Sequence, residues 1–149
     1  MNEKILNELA DKSAIRRIID LYANYADTKE LDKQVALFSD DCCVETCFDP
    51  ASETPSQVIK GKVNLKNLIH ETLSSFAKTM HFNGQSIIEL KNENEAEGIV
   101  YCRAYHQSKQ NEVEKYMIAP IRYLDKYKKV DGNWYFFERK LLVQWRENR

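Results

Sequence analysis

The sequence predicts an α+β fold: three N-terminal helices packed on the concave face of a curved, mainly antiparallel sheet. Three observations carry this. Apolar residues recur at spacings of three and four up to about residue 76, and at alternate positions from Thr79 onward. The helical and extended stretches are segregated rather than interleaved, which argues against a parallel α/β sheet. Asp131-Gly132 separates two long alternating runs, and this dipeptide accepts the positive φ of a type I′ hairpin turn.

Taken in order, residues 5–26 read as a helix with Ile15, Ile18, Ile19, Tyr22, Tyr25 and Ala26 on one buried stripe. Asp11 or Ser13 could cap a start within that stretch. Leu31 to Phe38 reads as a second, short helix, and Cys42 to Cys47 as a strand. The run from Phe48 to Ser56 holds Pro50 and Pro55 among small polar residues and reads as a loop. Gly61 leads into a third helix with Leu65, Leu68, Ile69, Thr72, Leu73 and Phe76 on its apolar side. Four strands follow at about 79–91, 95–109, 112–130 and 133–146, joined at Lys91–Asn94, Gln110-Asn111 and Asp131-Gly132.

A chain of 149 residues with 43% apolar and 30% charged residues fits one domain with its own core. Residues 1–149 are read as that single domain. With 22 basic and 23 acidic residues the net charge is −1, which gives no field to attract nucleic acid or an anionic membrane. Cys42, Cys43, Cys47 and Cys102 lack zinc-ligand spacing and suit reduced thiols in a core. The first residues carry no apolar leader and no stretch is long enough to span a membrane, so a cytoplasmic protein is expected. No phosphate loop or nucleotide signature occurs, and neither cofactor nor metal is expected.

The chemistry-bearing residues are few. Asp27 stands where the first helix ends, a place the helix dipole disfavours for an acid. It reads as a plainly exposed acid, as a cap of the following turn or as the partner of a histidine. The strand around 95–109 has a small apolar face, Val100, Cys102, Ala104, ending in His106, which suits a cavity wall. His81 opens the first long strand. His70 falls on the outer side of the third helix. Tyr101, Arg103 and Tyr105 on the opposite strand face, with Trp134, Phe136 and Trp145 near the end, suit sheet packing or a subunit interface.

The combination of Tyr22 with Asp27, Leu37-Phe38-Ser39-Asp40-Asp41, Gly61, Met80-His81 and the run from Tyr123 to Trp134 resembles the SnoaL-like branch of the nuclear transport factor 2-like fold. The resemblance covers about residues 8–146 and is nearest in motif to the scytalone dehydratase and bile acid 7α-dehydratase families. It implies a cone-shaped fold and a metal-independent acid/base enzyme. That enzyme would be a dehydratase of a small apolar cyclic hydroxy-carbonyl compound. It also implies that Asp27, His81 and His106 match catalytic positions, and that Tyr22 matches a catalytic tyrosine. Ala26, Thr46 and Tyr123 stand where scytalone dehydratase has two tyrosines and an asparagine. Ala104 and Val143 stand near an Asp and an Arg of the bile acid enzyme. The expected site is therefore Asp27 paired with His106, His81 as second acid/base group and Tyr22 as donor. Tyr25, Thr46, Cys102, Ala104 and Tyr123 are expected to contact the substrate. A polyketide cyclase, a ketosteroid-isomerase-like enzyme and a non-catalytic module binding a small apolar ligand fit the same residues. A homodimer or homotrimer through the open sheet face is expected.

Overall fold

The computed structural model describes residues 2–149. Helix α1 spans Glu3–Asp27, and the Asn2 side chain caps it by accepting the Lys4 amide. Its buried stripe is Ile15, Ile18, Ile19, Ala23 and Ala26. The helix thus begins well before Asp11. That residue is no cap: its carboxylate accepts from Lys129 Nζ and Trp134 Nε1, both at 2.8 Å, and ties α1 to the far end of the sheet.

Helix α2 is only Leu31–Val35, because strand β1, Phe38–Cys47, begins sooner than the apolar spacing suggests. The Phe136 amide donates to Leu37 O at 3.0 Å and draws the chain into the sheet at that point. Strand β2, Gln57–Lys60, is a short exposed pairing with β1, too brief to leave an alternating pattern. Gly61 then takes φ +82°, and helix α3, Lys62–Ser74, departs from it. A Cβ at Gly61 would meet nothing within 4 Å, so the backbone angle is what requires glycine there.

The long strands are β3 (Lys78–Leu90), β4 (Glu95–Gln110), β5 (Val113–Val130) and β6 (Asn133–Val143), with a short β7 (Glu147–Asn148). The sheet order is β2-β1-β6-β5-β4-β3, with β7 beside β5. Every pairing is antiparallel except β1 with β6. Asp131 and Gly132 take φ of 50° and 80° and make the expected turn. Asn111 and Glu112, at 50° and 64°, make the β4–β5 turn one residue later than expected.

One core joins α1, α2 and α3 to the inner face of the sheet, with Ile15, Ile19, Val35, Leu65 and Ile69 against Val100, Ile121, Tyr127, Trp134 and Phe136. Trp134 and Phe136 therefore point inward rather than to an interface, while Trp145 is exposed. Inward and outward positions alternate along β4, so Tyr101, Arg103 and Tyr105 lie on the outer face, as expected. Met80, Phe82, Ile87 and Leu124 are also exposed there.

A bulge in β6 opposite Lys126 and Tyr127 turns Arg139 inward. Arg139 is 1% exposed. Its Nε lies 3.1 Å from Asp125 Oδ1, and Tyr127 Oη donates to the other carboxylate oxygen at 2.7 Å. The guanidinium stacks 3.6 Å from the Tyr123 ring centre and 4.3 Å from that of Tyr22. Burial pushes the Asp125 carboxyl above its ordinary value, and Arg139 and Tyr127 pull it back part of the way. All four cysteines are free thiols, with Cys42 and Cys43 on opposite faces of β1. No described helix is long and apolar enough to cross a membrane.

Candidate active site

A cavity of about 410 Å³ opens between α3, the end of α1 and the inner sheet face. Leu65, Ile69, Leu73, Phe76, Met117, Ile121 and Val143 make most of its wall. Its polar groups come from Tyr22, Gln34, Thr46, His81, His106, Tyr123 and Arg146, among others.

The acid is placed by helical periodicity. Tyr22, Ala23 and Ala26 turn the last turns of α1 onto the sheet, and Asp27 is carried to its edge beside β3. On β3 the side chains of Thr79, His81 and Asn83 share the face toward α1. Thr79 Oγ1 donates to Asp27 Oδ1 at 3.0 Å, the His81 amide donates to Oδ2 at 3.0 Å, and Asn83 Nδ2 donates to Ile19 O at 3.2 Å. His81 Nδ1 lies 2.6 Å from Asp27 Oδ1. A carboxylate can only accept, so the proton of this contact sits on Nδ1, and in the neutral imidazole Nε2 is the acceptor nitrogen. Burial alone would raise the Asp27 carboxyl. The bonds from the His81 ring, the His81 amide and Thr79 outweigh it and hold the group below its ordinary value.

The expected pairing of Asp27 with His106 is corrected. His106 lies on β4 opposite Thr79, whereas His81 lies opposite Ala104. His106 thus sits two positions along β4 from the residue paired with His81, and no hydrogen bond joins it to the acid. Its Nδ1 donates instead to Met117 O at 3.1 Å, on the neighbouring strand, leaving its Nε2 as acceptor too. Burial pushes the His106 pKa down, and the neighbouring His81 adds to this; the Met117 bond and Asp27 oppose it. The two imidazoles stand nearly perpendicular, 5.8 Å apart, and Phe76 packs 4.7 Å from His106. The structure thus brings Asp27, His81 and His106 together, but with His81 as the acid's partner.

Tyr22 meets Tyr123 edge-on at 6.2 Å, and both line the cavity. Burial raises the pKa of both phenols, so they keep their protons and act as donors. Thr46 also lines the cavity. Tyr25, Cys102 and Ala104 do not. Tyr25 lies under Lys33 Nζ at 5.8 Å, outside the cavity. Cys102 and Ala104 are buried in the core cluster, at 5% and 0% exposure, and do not reach the cavity. Gln34 and Arg146 were not legible as site residues. The signal for Gln34 was available: it follows the buried phase of α2 next to Val35. Arg146 lies beyond β6, where no periodicity points. A second depression, about 520 Å³, lies on the outer sheet face among Glu45, Glu97, Lys126, Glu138 and Lys140 and carries no histidine.

The helix-covered cone, three helices on a curved and mostly antiparallel sheet, is that of the small nuclear transport factor 2-like proteins. Within that class the chain belongs to the SnoaL-like domain family, whose pattern matches residues 7–140. No curated sequence matches it significantly. Among solved structures it is similar to a candidate scytalone dehydratase from Novosphingobium aromaticivorans, at 26% identity and TM-score 0.80, over 95% of this chain and 89% of that one. It also shares its fold with LinA-type3, a hexachlorocyclohexane dehydrochlorinase from Novosphingobium barchaimii, at 15% identity and TM-score 0.80, over 97% and 93% of the two chains. A function-unknown protein from Mycobacterium tuberculosis matches at 17% identity and TM-score 0.76, over 92% and 73%.

Proposed function

We propose that this chain is a cofactor-free lyase that dehydrates a small apolar cyclic compound carrying a hydroxyl β to a carbonyl. The observation that carries this reading is the 2.6 Å Asp27–His81 pair beside an apolar cavity. Asp27 fixes the tautomer, so His81 Nε2 takes the α-proton as general base. Tyr22 and Tyr123 hydroxyls donate to the carbonyl oxygen as it becomes an enolate oxygen. The His81 imidazolium then returns its proton to the β-hydroxyl, the carbon–oxygen bond breaks, and water leaves. His106, held neutral by burial, accepts from that hydroxyl and keeps it against His81. The names of the neighbours are consistent with elimination chemistry: one is a candidate dehydratase, another removes hydrogen chloride.

The test is turnover of a panel of cyclic β-hydroxy ketones, followed by the rise of enone absorbance. Asp27→Asn and His81→Gln should each lower the rate by about 10²- to 10⁴-fold. In ¹⁵N NMR, Asp27→Asn should change the tautomer pattern of His81 and leave that of His106 intact. Undiminished turnover in both variants would overturn the reading.

The same reading includes self-association. Met80, Phe82, Ile87 and Leu124 are 37–58% exposed on the outer sheet face. Burying them against a second or third copy, as a homodimer or homotrimer, removes that surface from water.

A further inference from the structure

The cavity carries two polar features that the dehydration scheme leaves unused. Gln34, on α2, is 2% exposed and lines the cavity, and its side-chain oxygen has no hydrogen-bond partner. A buried carboxamide atom without a partner costs free energy that only a bound donor or water can return. Arg146 lines the same cavity from its exposed side, with its guanidinium 5.0 Å from the Phe48 ring. Among the described residues it is the one lining side chain with a permanent charge, and no carboxylate pairs with it. Its neighbours Glu147 and Arg149 satisfy each other at 3.0 Å instead. An unpaired cation on the rim and an unpaired acceptor in the wall frame an otherwise apolar interior.

We infer that the substrate is an anionic amphiphile: an apolar ring system with a carboxylate-like group that Arg146 receives at the rim and a hydroxyl that donates to Gln34 in the wall. This deepens the dehydratase reading and rests on it for the identity of the cavity as the substrate site. The apolar walls supply the burial, and the two polar groups set which end enters first. Arg146 sits over an aromatic face, where a planar guanidinium keeps its fork of donors free for an anion.

The test uses three probes: 6-hydroxy-2-naphthoate, 2-naphthoate without the hydroxyl, and 6-hydroxy-2-naphthamide without the charge. Binding is followed by the ring signals of His81 and His106, which place the probe in the cavity. In the unaltered protein, losing the charge should weaken binding about tenfold, and losing the hydroxyl severalfold. The first difference should vanish in Arg146→Gln and shrink with added salt. The second should vanish in Gln34→Met. That variant should melt no lower than the parent, because it removes an unpartnered buried group. Equal affinity for all three probes, or variants that weaken all three alike, overturns the proposal while Asp27 and His81 remain judged by turnover. Probes that shift neither histidine overturn it together with the cavity's role.

Discussion

At the scale of single residues, the choice of partner decides the chemistry. Asp27 is reached from β3, by Thr79 and His81 together, and His106 spends its Nδ1 proton on Met117 O. Burial holds His106 toward its neutral form in the fold, against the pull of the Met117 bond, and the sign of its effect follows. Its folded pKa lies below the ordinary 6.5, so the neutral form favours the native state. As pH falls from 6.5 through the folded value, protonation favours unfolding and stability declines; above 6.5 nothing is lost. Urea denaturation at pH 7 and pH 5 should show a drop in the parent that is smaller in His106→Asn. Asp27 drew notice because an acid ending an apolar stripe needs a reason, and the resemblance to the dehydratase families is what grouped it with the two histidines. Which histidine it meets was not legible. That depends on which strand lies at the sheet edge under α1, and residue spacing does not carry this. Nor could the sequence tell that Cys102 and Ala104 are buried in the core rather than open to the cavity: small residues suit a cavity wall and a tightly packed interior equally.

At the scale of elements, period and turn chemistry carried most of the information. The long helices and strands are where alternation and threefold spacing put them, because each buries one face. The errors lie where an element is too short to show a period, as at β2, or where tertiary pairing wins early, as at Phe38. The contact between β4 and β5 is unusually close at one point. A Cβ at Gly98 would lie 3.0 Å from the Tyr127 ring and its oxygen. Gly98→Ala should therefore push Tyr127 off Asp125 and cost about 1–3 kcal/mol in urea unfolding. Removing the acid itself should do more. Asp125→Ala strands the buried Arg139 charge, and a loss of about 3–5 kcal/mol is expected from the same measurement.

At the scale of the whole molecule, the cone has one covered face and one bare one. The inner face is filled by helices and the cavity, and the outer one presents Met80, Phe82 and Ile87 to solvent. Sedimentation velocity should find an assembly of two or three chains, and Ile87→Glu should shift it to single chains with the cavity intact. A monomer at all concentrations in the parent would end that expectation.

The acid and the imidazole that meet at 2.6 Å come from positions 54 residues apart. Closing so long a loop is slow compared with forming either neighbouring hairpin. No early, partly organised chain can own the pair, since the α1 end and the β3 edge must both be in place before it exists. Regain of the His81 tautomer signal during renaturation is accordingly a clock for the final docking of helix on sheet, whatever molecule the finished cavity holds.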